Sequence, residues 1–138
     1  IGASAVISRE EMLAGKEKAV LKERWAAAVD TVGGDILFNA VKATKYGGSV
    51  ACCGLAASPD FQANVFPFIL RGVNLLGINS SATLRDTRLV VWERIGTDLR
   101  PSKLDRICTK VVDFDELPAQ FDDYLKGRVT GRTVVKIA

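Results

Sequence analysis

The chain has 138 residues, of which 48% are hydrophobic and 25% are charged, and its formal net charge is +3 at pH 7. This length and balance predict a soluble globular protein that can bury its own core. The sequence contains no histidine. A Ser-His-Asp triad, a Cys-His pair and an imidazole metal ligand are therefore excluded within these residues.

The patterns of charged residues and cysteines exclude further classes of protein. Charges of both signs alternate within residues 16–24 and 85–98, which favours solvated helix faces over a nucleic-acid-binding surface. No apolar run approaches the roughly 18 residues that a membrane span needs. The cysteines, Cys52, Cys53 and Cys108, form no C-x-x-C pair. We therefore expect reduced thiols and a cytoplasmic protein, without a zinc site or a disulfide framework.

Three short apolar runs recur at nearly constant spacing, in residues 26–32, 49–54 and 73–78. Each run is continuous rather than alternating, which is typical of parallel strands covered on both faces. A shorter run, Ala5 to Ile7, also has the composition of a strand. The pattern predicts a buried parallel sheet.

The segments between the three runs predict helices. Residues 35–45 carry an apolar stripe, and Gly47 and Gly48 are expected to end that helix. Residues 64–70 predict a shorter helix with Pro67 near its first turn. Strand, helix and strand at this period indicate right-handed parallel βαβ units, so the fold class is α/β.

A longer helix is expected after the third run. Thr83 and Asp86 have the spacing of a capping box, and Pro101 is expected to stop the helix. Its predicted apolar stripe consists of Val91, Trp92, Ile95 and Leu99.

The pattern changes after Pro101. Residues 107–114 predict a strand, residues 115–126 a helix, and residues 132–137 a half-exposed strand with alternating side chains. A half-exposed strand of that kind belongs to a different sheet from the buried parallel one. We therefore place a domain boundary near residue 100.

The predicted strands end in small, glycine-rich or hydroxyl-bearing residues, in 31–34, 53–56 and 78–81. Open parallel sheets bind ligands at the carboxyl ends of their strands. Each segment taken alone is better explained as a turn, but the three together favour a binding crevice. The G-x-G-x-x-G loop that holds a dinucleotide pyrophosphate does not occur in these 138 residues.

Four stretches resemble a known family along essentially the whole chain. They are IGASAVISREE, RWAAAVDTVGGDILFNAVKATKYGGSVACCGLAAS, VFPFILRGVNLLGINS and KGRVTGRTVVKIA. The sequence resembles the C-terminal part of the acrylyl-CoA reductase branch of the quinone oxidoreductase-like, medium-chain dehydrogenase/reductase superfamily. The most specific part is the run from GGSVACCGLA to PFILRGVNLLG.

The resemblance implies a partial Rossmann fold, a doubly wound parallel sheet that lacks its first βαβ unit. Full-length members have a GroES-like domain, a Rossmann domain and a return to the first domain. Residues 1–100 would be the C-terminal part of the NADP-binding Rossmann domain, with Ala5 to Ile7 as its third strand. Residues 101–138 would be the strand, helix and strand that return to the GroES-like domain. The phosphate loop and the substrate domain would lie upstream of Ile1.

The resemblance also implies five contacts with NADP(H). Arg9 would lie near the adenosine end, where a cation suits the 2′-phosphate. Leu55 would pack beside the nicotinamide, Ile69 would wall the cleft, and Ser80 would approach the nicotinamide amide. Arg132 would reach the cofactor from the returning segment. No catalytic residue is identified in the chain, and family members lack the zinc of alcohol dehydrogenases.

The implied activity is transfer of a hydride from NADPH to the β-carbon of an α,β-unsaturated acyl-CoA or to a quinone. Acrylyl-CoA, other enoyl thioesters and quinones remain open as substrates, and the chain alone is expected to be inactive. The strand at residues 73–79 resembles the one through which members dimerise, and no nucleic-acid or membrane partner is expected. The main alternative is a non-catalytic Rossmann-like binding or scaffold module, and a basic nucleic-acid binder is a weaker one.

Overall fold

The computed structural model describes residues 2–137, which form two compact units. One unit is Ala5–Thr83, and the other combines residues 2–4 with residues 84–137. The division falls before the long helix that follows Thr83, whereas the sequence predicts a domain boundary near residue 100. This helix has no buried residue.

The unit Ala5–Thr83 contains three helices and three strands. In chain order they are α1 (Arg9–Leu13), β1 (Trp25–Asp30), α2 (Gly34–Lys42), β2 (Thr44–Cys52), α3 (Phe66–Arg71) and β3 (Asn74–Gly77). The strands form one parallel sheet in the order β1-β2-β3. Each of the three apolar runs contributes to a strand, which confirms the predicted parallel α/β fold.

The core of this unit lies between the sheet and the buried face of α2. Leu37, Phe38 and Val41 of α2 pack with Val50 of β2 and Val73, which precedes β3. The α2 residues recur at helical spacing, so one face of the helix carries them all. Burying each of these large side chains contributes about 1.5–3 kcal/mol.

The opposite face of the sheet is open. Strand register places Val29, Ala51 and Leu76 in one row across β1, β2 and β3. Val29 is 77% exposed and Leu76 is 48% exposed. The prediction that these strands are covered on both faces is therefore wrong for the described residues, because both helices that pack on β2, α2 and α3, leave this row bare.

Two local predictions in this unit are also wrong. Residues Ala5 to Ile7 form no strand, and Val6 is 93% exposed. A strand needs a hydrogen-bonding neighbour, and these residues pair with none among residues 2–137. Gly47 and Gly48 do not end a helix, because α2 ends at Lys42 and both glycines lie inside β2.

The early start of β2 has a local cause. The hydroxyl of Thr44 donates to the carbonyl of Ala40 at 2.8 Å, which satisfies a carbonyl at the end of α2. Trp25 pairs with Thr44, and the register then shifts before Ala27 pairs with Ser49. A bulge therefore takes up the residues that the sequence suggested as a helix stop.

The second unit contains three α-helices, one 3₁₀ helix and two strands. They are α4 (Arg85–Gly96), α5 (Leu104–Ile107), β4 (Cys108–Asp113), the 3₁₀ helix Phe114–Gln120, α6 (Phe121–Leu125) and β5 (Arg132–Lys136). Strands β4 and β5 form a separate parallel sheet. The separate sheet and the alternating exposure of β5 confirm the prediction for residues 132–137.

Helix boundaries in this unit differ from the predicted ones. Leu84 caps α4, and the hydroxyl of Thr83 instead donates to the carbonyl of Asn79 at 2.6 Å, so the expected capping box is absent. The helix expected over residues 115–126 is split. Its first part is a 3₁₀ helix that contains Pro118, whose missing N–H and ring disfavour the α-helical bond pattern.

We predict that the chain self-associates through β1, because this strand has no neighbour on its outer side among residues 2–137 and unpaired edges pair between chains. Val29→Lys should weaken self-association at least tenfold, on the order of 1.4 kcal/mol, by placing a charge on that strand. Sedimentation velocity over a concentration series measures the effect.

Val6→Lys is the matched control, since it adds the same charge at an exposed position outside the strands. It should associate like the wild type. A wild-type chain that stays monomeric at high concentration would contradict the prediction.

Candidate functional site

The carboxyl ends of the three strands of the unit Ala5–Thr83 meet at one edge of the sheet. Backbone hydrogen bonds continue beyond the strands and hold their loops together. Cys53 N–H donates to the carbonyl of Asp30 at 2.9 Å, and Ile78 N–H donates to that of Cys52 at 2.9 Å. The small-residue segments that follow the strands are therefore adjacent, as their sequence predicts.

The turn after β1 is tightly constrained. Gly33 has φ 72° and ψ −162°, a conformation that is essentially restricted to glycine. Its N–H donates to the carboxylate Oδ2 of Asp30 at 2.9 Å. Gly33 forms a bridge with Ser58, and a Cβ added at Gly33 would overlap with the carbonyl oxygen of Ser58.

Leu55 and Ser80 lie at this carboxyl edge. Leu55 follows β2 and is 64% exposed, and its Cα lies 3.3 Å from the position that a Gly33 Cβ would occupy. Ser80 follows β3 and is also exposed. Neighbouring strands therefore present both side chains from one edge.

Asn79 shapes the turn that carries Ser80. Its side-chain Oδ1 accepts from the hydroxyl of Ser81 at 2.9 Å and from the N–H of Ala82 at 3.0 Å. The carbonyl of Asn79 also accepts from Thr83. Asn79 therefore bonds with the residues that follow Ser80, and Ser80 Oγ has no hydrogen-bond partner among residues 2–137.

The other three predicted cofactor residues lie on helices or in the second unit. Ile69 is an exposed residue of α3, and Arg9 is the first residue of α1. Helix α1 is tied to α2 by the side chain of Asn39, which donates to the carbonyl of Met12 at 2.9 Å. Arg132 begins β5 in the second unit. All five nucleotide contacts stay predictions.

Two buried charged residues were not identified from the sequence. Asp30 is only 6% exposed at the end of β1. Lys42 is 1% exposed at the end of α2, and its Nζ donates to the carbonyls of Lys16 at 2.7 Å and Lys18 at 3.1 Å. Burial lowers the pKa of Lys42 below its ordinary value. In the sequence, the burial of these two residues is indicated only by their position next to apolar residues.

Two structural features are not found in the described part of the chain. No group of three or more Cys, Asp or Glu side chains within residues 2–137 is arranged to hold a metal ion. No helix within the same residues has both the length and the apolar character needed to cross a bilayer.

Comparison with known proteins gives clear relatives, although no protein-family model matches the chain. The chain is 46% identical over 137 residues to YhfP of Bacillus subtilis, which has a provisional name as a quinone oxidoreductase. It is 42% identical over 137 residues to the acrylyl-CoA reductase AcuI of Ruegeria pomeroyi. The matches cover 99% of this chain but only 42% of YhfP and 41% of AcuI.

Solved structures agree with these matches. A crystal structure of B. subtilis YhfP with NAD bound has a TM-score of 0.90 over 99% of this chain and 41% of that chain. A crystal structure of YhdH from E. coli K-12 with bound NADPH is 36% identical and has a TM-score of 0.82, over 99% of this chain and 42% of that one.

A parallel α/β sheet with loops gathered at its carboxyl edge gives this chain a Rossmann-type fold. Along 99% of its length the chain is similar to proteins named as a quinone oxidoreductase and as an acrylyl-CoA reductase. This finding confirms the resemblance and the fold class predicted from the sequence. The chain spans about two fifths of the length of these relatives.

We predict that Gly33→Ala destabilises the unit Ala5–Thr83 by about 3 kcal/mol or more, because alanine meets both backbone strain and overlap with Ser58. Gly47→Ala is the matched control. Gly47 has a similar φ of 69°, and a Cβ there would meet nothing within 4 Å, so a loss of about 1–2 kcal/mol is expected. Urea unfolding measures both, and equal losses would show that the contact with Ser58 does not matter.

We also predict a pH dependence that arises from Lys42. Its folded-state pKa lies below the ordinary 10.5, so between those two values the unfolded chain holds a proton that the folded chain has released. The free energy of unfolding therefore rises with pH across that window. Lys42→Met should remove this rise in urea unfolding, whereas Lys18→Met, at an exposed lysine, should keep it. A rise that survives Lys42→Met would assign it to another group.

Proposed function

We propose that this chain is part of an NADPH-dependent oxidoreductase that transfers a hydride to an α,β-unsaturated acyl-CoA or to a quinone. The observation that carries this proposal is the match along 99% of the chain to solved structures with a nicotinamide cofactor bound, which are YhfP with NAD at a TM-score of 0.90 and YhdH with NADPH at a TM-score of 0.82. Because the chain spans about two fifths of its relatives, the activity is proposed for the whole protein and not for this chain alone.

The carboxyl edge of the sheet suits the nicotinamide side of such a site. Bound NADPH supplies the hydride, and the chain's own residues bind and orient the reacting groups. Leu55 offers an exposed apolar surface for the nicotinamide ring, and Ser80 offers a hydroxyl and a backbone N–H for its amide. Ile69 walls the cleft.

Two arginines complete the proposed cofactor contacts. Arg9 would face the 2′-phosphate and favour NADP(H) over NAD(H), since guanidinium groups pair well with phosphate. Arg132 would approach from the returning segment. Both side chains are exposed and therefore free to meet a ligand.

The proposed substrate is an electrophilic alkene conjugated to a carbonyl group. The name of R. pomeroyi AcuI refers to acrylyl-CoA, and that of YhfP refers to quinones. Both classes accept a hydride at the carbon β to a carbonyl group. Enoyl thioesters and quinones therefore remain the two candidate substrate classes.

We extend the proposal to the domain organisation, the oligomeric state and the cellular location of the enzyme. Residues 1–100 would belong to the Rossmann domain and residues 101–138 to a GroES-like domain. The enzyme would be zinc-free, cytoplasmic and homodimeric through the strand at residues 73–79, which includes β3 at an edge of the described sheet. Nucleic acids and membranes are not proposed as partners.

A graft tests the proposed activity. The 137 matching residues of R. pomeroyi AcuI are replaced by this chain, and NADPH oxidation is followed at 340 nm with acrylyl-CoA and with a benzoquinone. We expect substrate-dependent NADPH oxidation above that of the buffer control with at least one of these substrates. Size-exclusion chromatography of the graft tests the dimer.

The matched variants are Arg132→Ala and Lys136→Ala in the graft, both at exposed positions of β5. Arg132→Ala should raise the KM for NADPH about tenfold, and Lys136→Ala should leave it unchanged. A folded graft with no NADPH oxidation would contradict the proposal and favour a non-catalytic scaffold module.

A further inference from the structure

Asp30 is a buried carboxylate at the carboxyl edge that the proposed function leaves without a role. It ends β1 and is 6% exposed. A buried carboxylate is unfavourable unless it is hydrogen-bonded. A charged residue at this position therefore needs a hydrogen-bond partner that compensates for the loss of hydration.

Asp30 connects the two loops that follow β1 and β2. Its Oδ2 accepts from the N–H of Gly33 at 2.9 Å. Its backbone carbonyl accepts from the N–H of Cys53 at 2.9 Å and from the Cys53 thiol at 3.3 Å. One residue thus holds both the turn that opens α2 and the start of the segment that carries Leu55.

The turn at Gly33 also packs against the loop that follows β2. Gly33 packs against the backbone of Ser58, Gly54 and Leu55 so closely that a Cβ would meet all three. Ala57 N–H donates to the carbonyl of Val32 at 2.8 Å. The position of Leu55 therefore depends on the conformation of Gly33, which the side chain of Asp30 selects.

We propose that Asp30 is a positioning residue of the nicotinamide side of the cofactor site. By accepting from Gly33 N–H, its carboxylate keeps the turn after β1 against the loop after β2 and so holds Leu55 where the nicotinamide ring binds. This inference rests on the proposed function. In this role Asp30 acts through the Gly33 turn and not by contact with the cofactor or the substrate.

The test uses the graft of this chain into AcuI and NADPH as the probe, with saturation-transfer difference NMR as the readout. This method detects weak binding and separates saturation of the nicotinamide protons from that of the adenine protons. In Asp30→Ala we expect the nicotinamide-to-adenine saturation ratio to fall about fivefold, because the binding-competent turn becomes less populated. A general loss of stability would lower both signals alike.

Two conservative variants separate positioning from folding. Asp30→Asn keeps a side-chain oxygen that can accept from Gly33, so it should retain more than about half of the wild-type ratio. Asp30→Glu keeps the charge but displaces the carboxylate, so its nicotinamide-to-adenine saturation ratio should also fall about fivefold. This variant provides the test if Asp30→Ala does not fold. Asp60→Asn, at an exposed aspartate of the same unit, should match the wild type.

The outcomes distinguish this inference from the proposed function. An unchanged ratio in Asp30→Ala or Asp30→Glu would overturn the inference alone, as would an Asp30→Asn variant that loses the ratio completely. A graft without substitutions whose adenine protons receive saturation but whose nicotinamide protons receive none would overturn the assignment of this edge to the cofactor, and the role of Asp30 with it.

Discussion

The close approach of two backbone segments at the carboxyl edge is the constraint on which the site depends. Gly33 adopts φ 72° and ψ −162° and packs against the carbonyl of Ser58 without room for a side chain. Parallel pairing of β1 with β2 brings these segments side by side. The loops are therefore set by strand register and by one glycine conformation, and α2 begins directly after this turn.

The parallel sheet could be predicted from the sequence because its signal is local. Each strand contains a short continuous apolar run, and each connection has the length and periodicity of a helix. The run Ala5 to Ile7 has the same local signal but forms no strand. Strand formation also requires a partner, and a partner cannot be read from the run itself.

The position of a bulge also cannot be predicted from the local amino-acid composition. Gly47 and Gly48 have the sequence signature of a helix stop, yet they lie inside β2 because Trp25 pairs with Thr44. Pairing in three dimensions overrode a local signal. Thr83 has a different, local reason, since its hydroxyl bonds to the carbonyl of Asn79 four residues earlier instead of capping α4.

The candidate site was predictable only in part. The rule that ligands bind at the carboxyl ends of parallel strands identified the segments that contain Leu55 and Ser80, and both residues lie at that edge, but their individual roles come from the family resemblance. Arg9 and Arg132 entered through the family resemblance alone, since an exposed arginine has no distinctive local pattern. Asp30 was missed because a burial state is a property of the packed fold, and its residue type at the end of an apolar run is equally typical of a turn.

The chemistry of this edge favours orientation over proton transfer. Its side chains nearest the strand ends include the apolar Leu55, the hydroxyl of Ser80 and the carboxylate of Asp30, which is already bonded to Gly33 N–H. A carboxylate held in that way stabilises a backbone conformation, and releasing it to shuttle protons would leave Gly33 unpaired. Under the proposed function the chain therefore contributes geometry to hydride transfer, and the proton that the α-carbon then takes up must come from solvent or from a group other than Asp30.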